Sequence, residues 1–185
     1  ERQQDFLALL PLIFHVNHPM LPGYVSHQTP CGVAHYKPSK DDLRRARGQA
    51  RSFRYNRELR ARELHIDALF VMGSAGTVGQ SESSDLDIWV CYNSNLSADA
   101  LAQLRLKCQQ LTRWAEQTIR LEVHFFLMDP SRLHLGQLGS LSSEGSGSAQ
   151  HYLLLDEFYR TALWLAGKVP LWWFVPASQE ANYQA

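Results

Sequence analysis

The sequence predicts a mixed α/β (α+β) domain, with a small mixed β-sheet flanked by helices. Strand-like runs occur at residues 64–72, around Asp85 and Asp87, and at residues 121–128, and an amphipathic helical pattern lies between the last two runs. Short apolar or alternating runs are typical of strands, whereas apolar residues at spacings of three and four are typical of a helix packed on a core. Strands and helices that follow one another in this way favour a single layered domain.

Composition limits the class of protein. At 185 residues, 45% of them hydrophobic, the chain is long enough for one domain with a full core. Eighteen basic and 18 acidic residues cancel, so the overall charge does not indicate nucleic acid or an anionic membrane as a partner. No apolar run is long enough to span a bilayer, and the first residues do not resemble a signal peptide. Because the chain begins with Glu1 instead of methionine, we expect it to be part of a longer protein.

The cysteine pattern indicates a reducing compartment. Cys31, Cys91 and Cys108 are odd in number, widely spaced and without a CxxC pair. Such a pattern fits free thiols better than disulfides or a zinc site, so we expect a cytoplasmic protein.

Residues 1–63 are expected to form a helical and irregular segment packed on the core. Residues 5–15 are apolar enough for a short helix, and prolines and glycines interrupt the chain from Pro19 to Pro38. A charged, helix-forming stretch follows at residues 39–63, with Ser39 or Asp41 as its N-cap. Its apolar positions are expected to face the core: Leu43, Ala46, Ala50 and Phe53.

A second stripe on the same predicted helix consists of arginines at positions 44, 47, 51 and 54. These side chains form either a solvated helix face or a cationic wall directed at a polyphosphate or RNA. We favour the solvated face, because Gly48 weakens the helix and neighbouring acids dilute the positive charge.

Residues 64–185 are expected to form the core of the domain. After the strands, Ser97 is a suitable N-cap for a helix with a core-facing stripe that includes Cys108, which we expect to be an inert thiol. Residues 151–167 are apolar on most faces and predict a further helix that ends at Gly167 as its C-cap. The glycine- and serine-rich residues 136–148 form either a tether or a lid over a ligand.

The two carboxylates of the second strand-like run are the strongest indication of chemistry. Alternate strand residues point to opposite faces, so Asp85 and Asp87 share one face while Leu86 and Ile88 pack into the other. Two acids so close repel each other unless a cation lies between them, and oxygen ligands of this kind suit Mg²⁺. The pattern therefore indicates metal-assisted phosphoryl or nucleotidyl transfer.

The turn before these acids adds a phosphate-binding element. Gly73 and Ser74 follow the first strand, where free backbone N–H groups could cradle the phosphates of a nucleotide. A strand, Gly-Ser, about ten residues and then two alternating acids on a second strand resembles the signature of the DNA polymerase β-like nucleotidyltransferase superfamily. This resemblance implies the nucleotidyltransferase fold, two Mg²⁺ ions, with Mn²⁺ as a substitute, and a third acid on a following strand. Glu122 falls at the matching position, but the sequence leaves open which face of the sheet it occupies.

A closer resemblance covers the chain from about His15 to its end. The segments GSAGTVGQSESSDLDIWVC, LLLDEFYRTALWLAGK and NHPMLPGY are similar to the catalytic region of the class I adenylate cyclases of enterobacteria and related proteobacteria. The resemblance implies that this catalytic core, a lyase, converts ATP to 3′,5′-cyclic AMP and pyrophosphate. It also implies a C-terminal regulatory region that this chain lacks, and control by the glucose IIA protein of the phosphotransferase system.

Site residues follow from the same resemblance. Gly73 and Ser74 match the triphosphate-binding turn, and Trp89 matches the aromatic residue after the acids. Ser84, Asp85 and Asp87 match the metal- and phosphate-binding segment, and Glu122 is the third metal ligand and a candidate base. We add two candidates for phosphate contacts from the shared helical segment: Arg160 and Lys168.

Two other functions remain open from the sequence. The same site could transfer AMP to an RNA, a protein or a small-molecule acceptor. Alternatively, the chain could be a nucleotide-sensing domain without turnover.

Overall fold

The computed structural model describes residues 2–55, 63–72, 85–130 and 158–169. In chain order, the elements within these ranges are α1 (Arg2–His15), α2 (Lys40–Gln49), β1 (Ile66–Met72), β2 (Leu86–Tyr92), α3 (Ala98–Trp114) with a π-helical extension (Ala115–Ile119), β3 (Val123–Met128) and β4 (Leu163–Gly167).

The four described strands form one mixed sheet in the order β3-β2-β1-β4. β1 pairs antiparallel with β2, and Met72 lies opposite Asp87. β2 pairs parallel with β3, and Leu86 lies opposite Val123. β4 pairs antiparallel with the free edge of β1. The predicted mixed α/β class, a small mixed sheet flanked by helices, is therefore confirmed.

One face of the sheet carries the main core. Leu69 and Val71 of β1 and Ile88 of β2 are fully buried there, in one cluster with apolar side chains of α1 and α3. The hydroxyl of Thr112 in α3 donates to the carbonyl oxygen of Val123 at 3.0 Å, which holds the start of β3 against this helix. The N-terminal helix is thus part of the same core as the strands, since Phe6 in α1 belongs to this cluster.

The opposite face carries a smaller apolar cluster. Phe70 of β1, Trp89 of β2 and Met128 of β3 contribute side chains to it, together with Phe158. The ring of Phe158 stacks on Trp89 with centroids 5.2 Å apart and meets Phe70 edge to face at 4.9 Å. Residues 158–161 are helical, so this helical turn lies across the second face of the sheet.

The helix predicted for residues 39–63 is shorter than expected. Ser39 is its N-cap, with a capping box to Asp42, but the helix ends at Gln49 because Ala50 takes an extended conformation. Ala50 and Phe53 are still buried, as the sequence predicted, because the chain beyond the helix turns inward. The four arginines at 44, 47, 51 and 54 are exposed, which agrees with a solvated face. Residues 56–62 lie outside the described part of the chain.

The prediction of a helix through residue 167 is wrong for its last third, because residues Leu163–Gly167 form β4. A run that is apolar on most faces has no clear period, so it fits a strand as well as a helix. The open edge of β1 decided the outcome, since it offers backbone hydrogen bonds that β4 completes. Residues 151–157 lie outside the described ranges.

Burial keeps the thiols of Cys91 and Cys108 protonated and unreactive. Cys31, Cys91 and Cys108 are all free. Burial raises the pKa of Cys108 to about 12 and that of Cys91 well above its usual value. Both thiols therefore stay protonated at neutral pH, and the prediction that Cys108 is an inert core thiol is confirmed.

Within the described ranges, no helix is long and apolar enough to cross a membrane.

Gly167 is required by the pairing of β4 with β1 and is not a helix C-cap. Its φ is +96°, and a Cβ atom there would collide with the backbone carbonyl oxygen of Asp67 and lie 2.6 Å from the Cα of Ala68. Gly48 in α2 is the opposite case, because a Cβ there would meet nothing within 4 Å.

We predict that Gly167→Ala lowers the free energy of unfolding by roughly 2–4 kcal/mol, from backbone strain and the collision with β1. Gly48→Ala should raise it by about 0.5–1 kcal/mol, because alanine is the better helix former. Urea unfolding of both variants measures the two changes. Equal stability of Gly167→Ala and the parent would contradict the assignment of β4.

Lys107 of α3 is a buried cation in the main core. Only 1% of its surface is exposed, and its Nζ lies 5.7 Å from the ring centroid of Phe14. Burial lowers the pKa of Lys107 from 10.5 to about 8. Below pH 8 the folded protein therefore carries a desolvated charge whose energetic cost the unfolded chain does not have.

We predict that Lys107→Met raises the free energy of unfolding at pH 7 by about 1–3 kcal/mol, because an apolar side chain replaces a buried charge. In the parent, stability should rise between about pH 8 and 10.5, where the unfolded chain still binds the proton that the folded chain has released. Urea unfolding at several pH values tests this, with the exposed Lys40→Met as a control. A parent and a Lys107→Met variant with the same pH slope would contradict it.

Candidate functional site

The two aspartates lie at one corner of the sheet. Asp85 directly precedes β2 and Asp87 is the second residue of that strand. Leu86 and Ile88 are fully buried in the main core, whereas Asp85 is exposed and Asp87 partly exposed. The predicted division of β2 into an acidic and a buried face is therefore confirmed at this corner. Since Asp87 lies opposite Met72, the corner adjoins the end of β1.

Glu122 reaches the same corner through the pairing of β2 with β3. Its carbonyl oxygen accepts a hydrogen bond from the backbone N–H of Leu86 at 3.0 Å. Leu86 lies opposite Val123, so the preceding residues of the two strands, Asp85 and Glu122, lie level with each other. Residues that are level in a parallel pair point to the same face. The sequence left the face of Glu122 open, and the register assigns it to the face of the aspartates.

His124 also lies at this corner, and the sequence interpretation missed it. It is the register partner of Asp87, and its Nε2 lies 3.2 Å from Oε1 of Glu122. About half of the His124 side chain and most of the Glu122 side chain are exposed. The signal was present in the sequence, because His124 follows Glu122 by two positions in a strand and so shares its face.

Trp89 lies on the same face as Asp87 but is 97% buried, with 3% of its surface exposed. Its ring stacks on Phe158, and Trp89 belongs to the apolar cluster of this face. Arg160 follows Phe158 by two positions in the same helical turn, and its side chain is exposed. Because Phe158 stacks on Trp89, the helical turn that contains Arg160 packs on the face of the sheet that carries Asp87.

Lys168 lies at the other end of the sheet. Its Nζ lies 3.5 Å from Oδ1 of Asp67, and its backbone N–H donates to the carbonyl oxygen of Asp67 at 2.8 Å. Asp67 is five residues before Met72 in β1, which corresponds to roughly 17 Å along an extended strand. The expectation that Lys168 contacts phosphate therefore finds no support in its position, and its ion pair ties the end of β4 to β1.

Three expected site residues lie outside the described ranges: Gly73, Ser74 and Ser84. Their neighbours in the chain are nevertheless placed. Met72, directly before Gly73, and Asp85, directly after Ser84, both lie at the acidic corner. The possible lid at residues 136–148 also lies outside the described part of the chain.

The donor atoms at this corner suit a hard divalent cation. Asp85, Asp87 and Glu122 offer carboxylate oxygens from one side of the sheet, the ligand type that Mg²⁺ and Mn²⁺ prefer. In the described residues, no group of three His, Cys, Asp or Glu side chains is close enough as it stands to hold a metal ion. The pairing of the strands thus places the three carboxylates at one corner, and their side chains would have to turn toward one another to bind an ion.

Comparisons with known proteins identify the family of the chain. Residues 1–173 match the family model described as the adenylate cyclase NT domain. Proteins named adenylate cyclase from Salmonella typhimurium strain LT2 and Escherichia coli strain K12 are 42% identical to this chain over 186 residues, which cover 97% of the chain and 21% of each relative. The adenylate cyclase of Proteus mirabilis is 42% identical over 180 residues, 95% of the chain and 20% of that protein. The chain thus spans about a fifth of the length of these relatives, and no solved structure matches it.

Proposed function

The chain belongs to the family of the adenylate cyclase NT domain, and from that membership we propose that it carries the catalytic site that converts ATP to 3′,5′-cyclic AMP and pyrophosphate. One observation supports this proposal above the others. The register of β2 and β3 brings Glu122 level with Asp85, on the face of Asp87, at the corner where β1 ends. The resemblance of the sequence to nucleotidyltransferases implies the same donor set, in which two acids after a Gly-Ser pair and a third acid on a following strand hold the metal ions.

In the proposed reaction, the 3′ hydroxyl of ATP attacks the α-phosphorus in line and pyrophosphate leaves. Asp85, Asp87 and Glu122 would hold one or two Mg²⁺ ions, with Mn²⁺ as a substitute. Such ions, when bound, lower the pKa of the attacking hydroxyl and neutralise charge on the phosphates. Glu122, most of whose side chain is exposed at the corner, is also the candidate base that would take the proton of the attacking hydroxyl.

The remaining roles concern binding and alignment of ATP. Gly73 and Ser74 would receive the leaving pyrophosphate on backbone N–H groups, and Ser84 would contact the phosphates beside the acids. Arg160 would add a positive charge from the helical turn that Phe158 anchors on Trp89. Holding one substrate in the folded, reactive geometry can contribute roughly 7–11 kcal/mol to the reduction of the barrier.

The cellular location and the partners of the protein are part of the same proposal. Free cysteines and an ATP substrate fit the cytoplasm. A regulatory C-terminal region and the glucose IIA protein of the phosphotransferase system, if they act on this protein, would act through parts that lie beyond this chain.

We predict that Asp87→Asn lowers cyclic AMP formation from Mg²⁺-ATP by about 100-fold or more, since loss of a ligand should exceed the 10- to 100-fold effect of an outer-shell change. The measurement is the rate of cyclic AMP formation in the full-length protein, with cooperative thermal unfolding as the check on folding. Asp99→Asn, which removes an exposed acid at the start of α3, is the matched control and should leave the rate unchanged.

Two outcomes would contradict the proposal. Normal turnover by Asp87→Asn would exclude Asp87 from the metal site. A parent protein that makes no cyclic AMP but transfers labelled AMP to an added acceptor would indicate a nucleotidyltransferase of another kind.

A further inference from the structure

A cavity of about 280 Å³ lies between α1, α2 and the end of α3 with its π-helical extension. Its apolar lining belongs to the main core or packs against it, and consists of Phe6, Leu9, Trp114 and Ile119. The main core lies on one face of the sheet, whereas the acidic corner adjoins the cluster on the other face. The cavity is therefore separate from the proposed ATP site.

Two aromatic rings form one wall of the cavity. The rings of Phe6 and Trp114 are stacked, with centroids 6.2 Å apart and an angle of 26° between their planes. Phe6 is 2% exposed and so is held by the core, whereas Trp114 is partly exposed. Ile119, which also lines the cavity, ends the π-helical extension. Since π-helical turns are rare and frequently occur at functional sites, this turn distinguishes the cavity from an ordinary surface depression.

The polar rim of the cavity has more donors than acceptors. Arg2 and Asp5 of α1 and Arg45 and Gln49 of α2 line it. Nε of Arg45 lies 3.7 Å from Oδ1 of Asp5, which is long for a charge-assisted hydrogen bond. In the described part of the chain, Arg45 has no other side-chain partner, and the side chains of Arg2 and Gln49 have none. Two guanidinium groups against one carboxylate leave a net charge of one positive unit.

We infer that this cavity binds a small aromatic carboxylate, with its ring against Phe6 and Trp114 and its carboxylate on Arg2 and Arg45. The planar guanidinium group matches a carboxylate in geometry, and the terminal nitrogens of Arg45 remain available while Nε faces Asp5. The single positive charge of the rim favours a monoanion over a phosphate with two charges.

The size of the cavity limits the ligand further. Small-molecule sites typically enclose about 300–1,000 Å³, so this cavity lies at the lower end of the range. It suits one ring system with one acidic group, and it is too small for a second molecule of ATP. The inference does not depend on the proposed function, because the cavity and the acidic corner share no residue.

The test measures binding of naphthalene-1-acetate to the full-length protein by isothermal titration calorimetry, with the uncharged naphthalene-1-acetamide as the matched ligand. Arg45→Gln removes one guanidinium group. Arg2→Gln removes the other and leaves the pair of Asp5 and Arg45 intact. Arg47→Gln, which removes an exposed charge elsewhere on α2, is the matched control. Cooperative thermal unfolding checks that each variant is folded.

We expect the parent to bind the acetate with a Kd of about 1 mM or lower, the affinity that a ligand of this size can reach. Arg45→Gln should weaken this binding about 10-fold or more, and Arg2→Gln about 3- to 10-fold, because each loses hydrogen bonds to a charged group. Arg47→Gln should equal the parent. The amide should bind the parent about 10-fold more weakly than the acetate, and Arg45→Gln should change its affinity less than about 3-fold.

Four results would overturn the inference. A parent that does not bind the acetate excludes the ligand class. Parental affinity in both Arg45→Gln and Arg2→Gln places the acetate elsewhere on the protein. Equal losses for the acetate and the amide in Arg45→Gln show that the arginine supports the shape of the cavity and does not recognise charge. Displacement of the acetate by a non-cleavable ATP analogue assigns it to the nucleotide site.

Discussion

The parallel pairing of β2 with β3 is the constraint on which the site depends. It is set by apolar residues that point away from the site, since Leu86 and Val123 are register partners buried in the main core. A shift of this register by one residue would turn the buried side chains of β3 to the other face and remove Glu122 from the level of Asp85. The core thus fixes the position of the acids without touching them.

The two faces of the sheet have different tasks. One packs on α1 and α3 and carries the larger of the two clusters of buried apolar side chains in the described residues. The other combines a small aromatic cluster with polar side chains at one end, where Asp87 and His124 continue the rows of Trp89 and Phe126. Carboxylates placed this close together destabilise the folded state unless a cation or a hydrogen-bond donor neutralises them. Such a local cost to stability is typical of functional sites.

Much of this fold could be predicted from the sequence, because its elements have strong local signals. The capped amphipathic helix α3 and the acidic alternation around Asp87 are examples. Local sequence patterns did not predict the structure where tertiary contacts determine it. Residues Leu163–Gly167 pair with β1 although their pattern favours a helix, and that pairing also takes Lys168 to Asp67 at the far end of the sheet. His124 was missed although its spacing of two from Glu122 indicates a shared face of the strand, because the sequence alone left the face of Glu122 open.

The most direct test of the site is a crystal structure with Mn²⁺ and a non-cleavable ATP analogue, in which anomalous scattering locates the ions. We expect an anomalous peak within about 2.5 Å of carboxylate oxygens from Asp85, Asp87 and Glu122, with the phosphates of the analogue beside it. A peak elsewhere on the chain, or phosphates bound away from this corner, would contradict it.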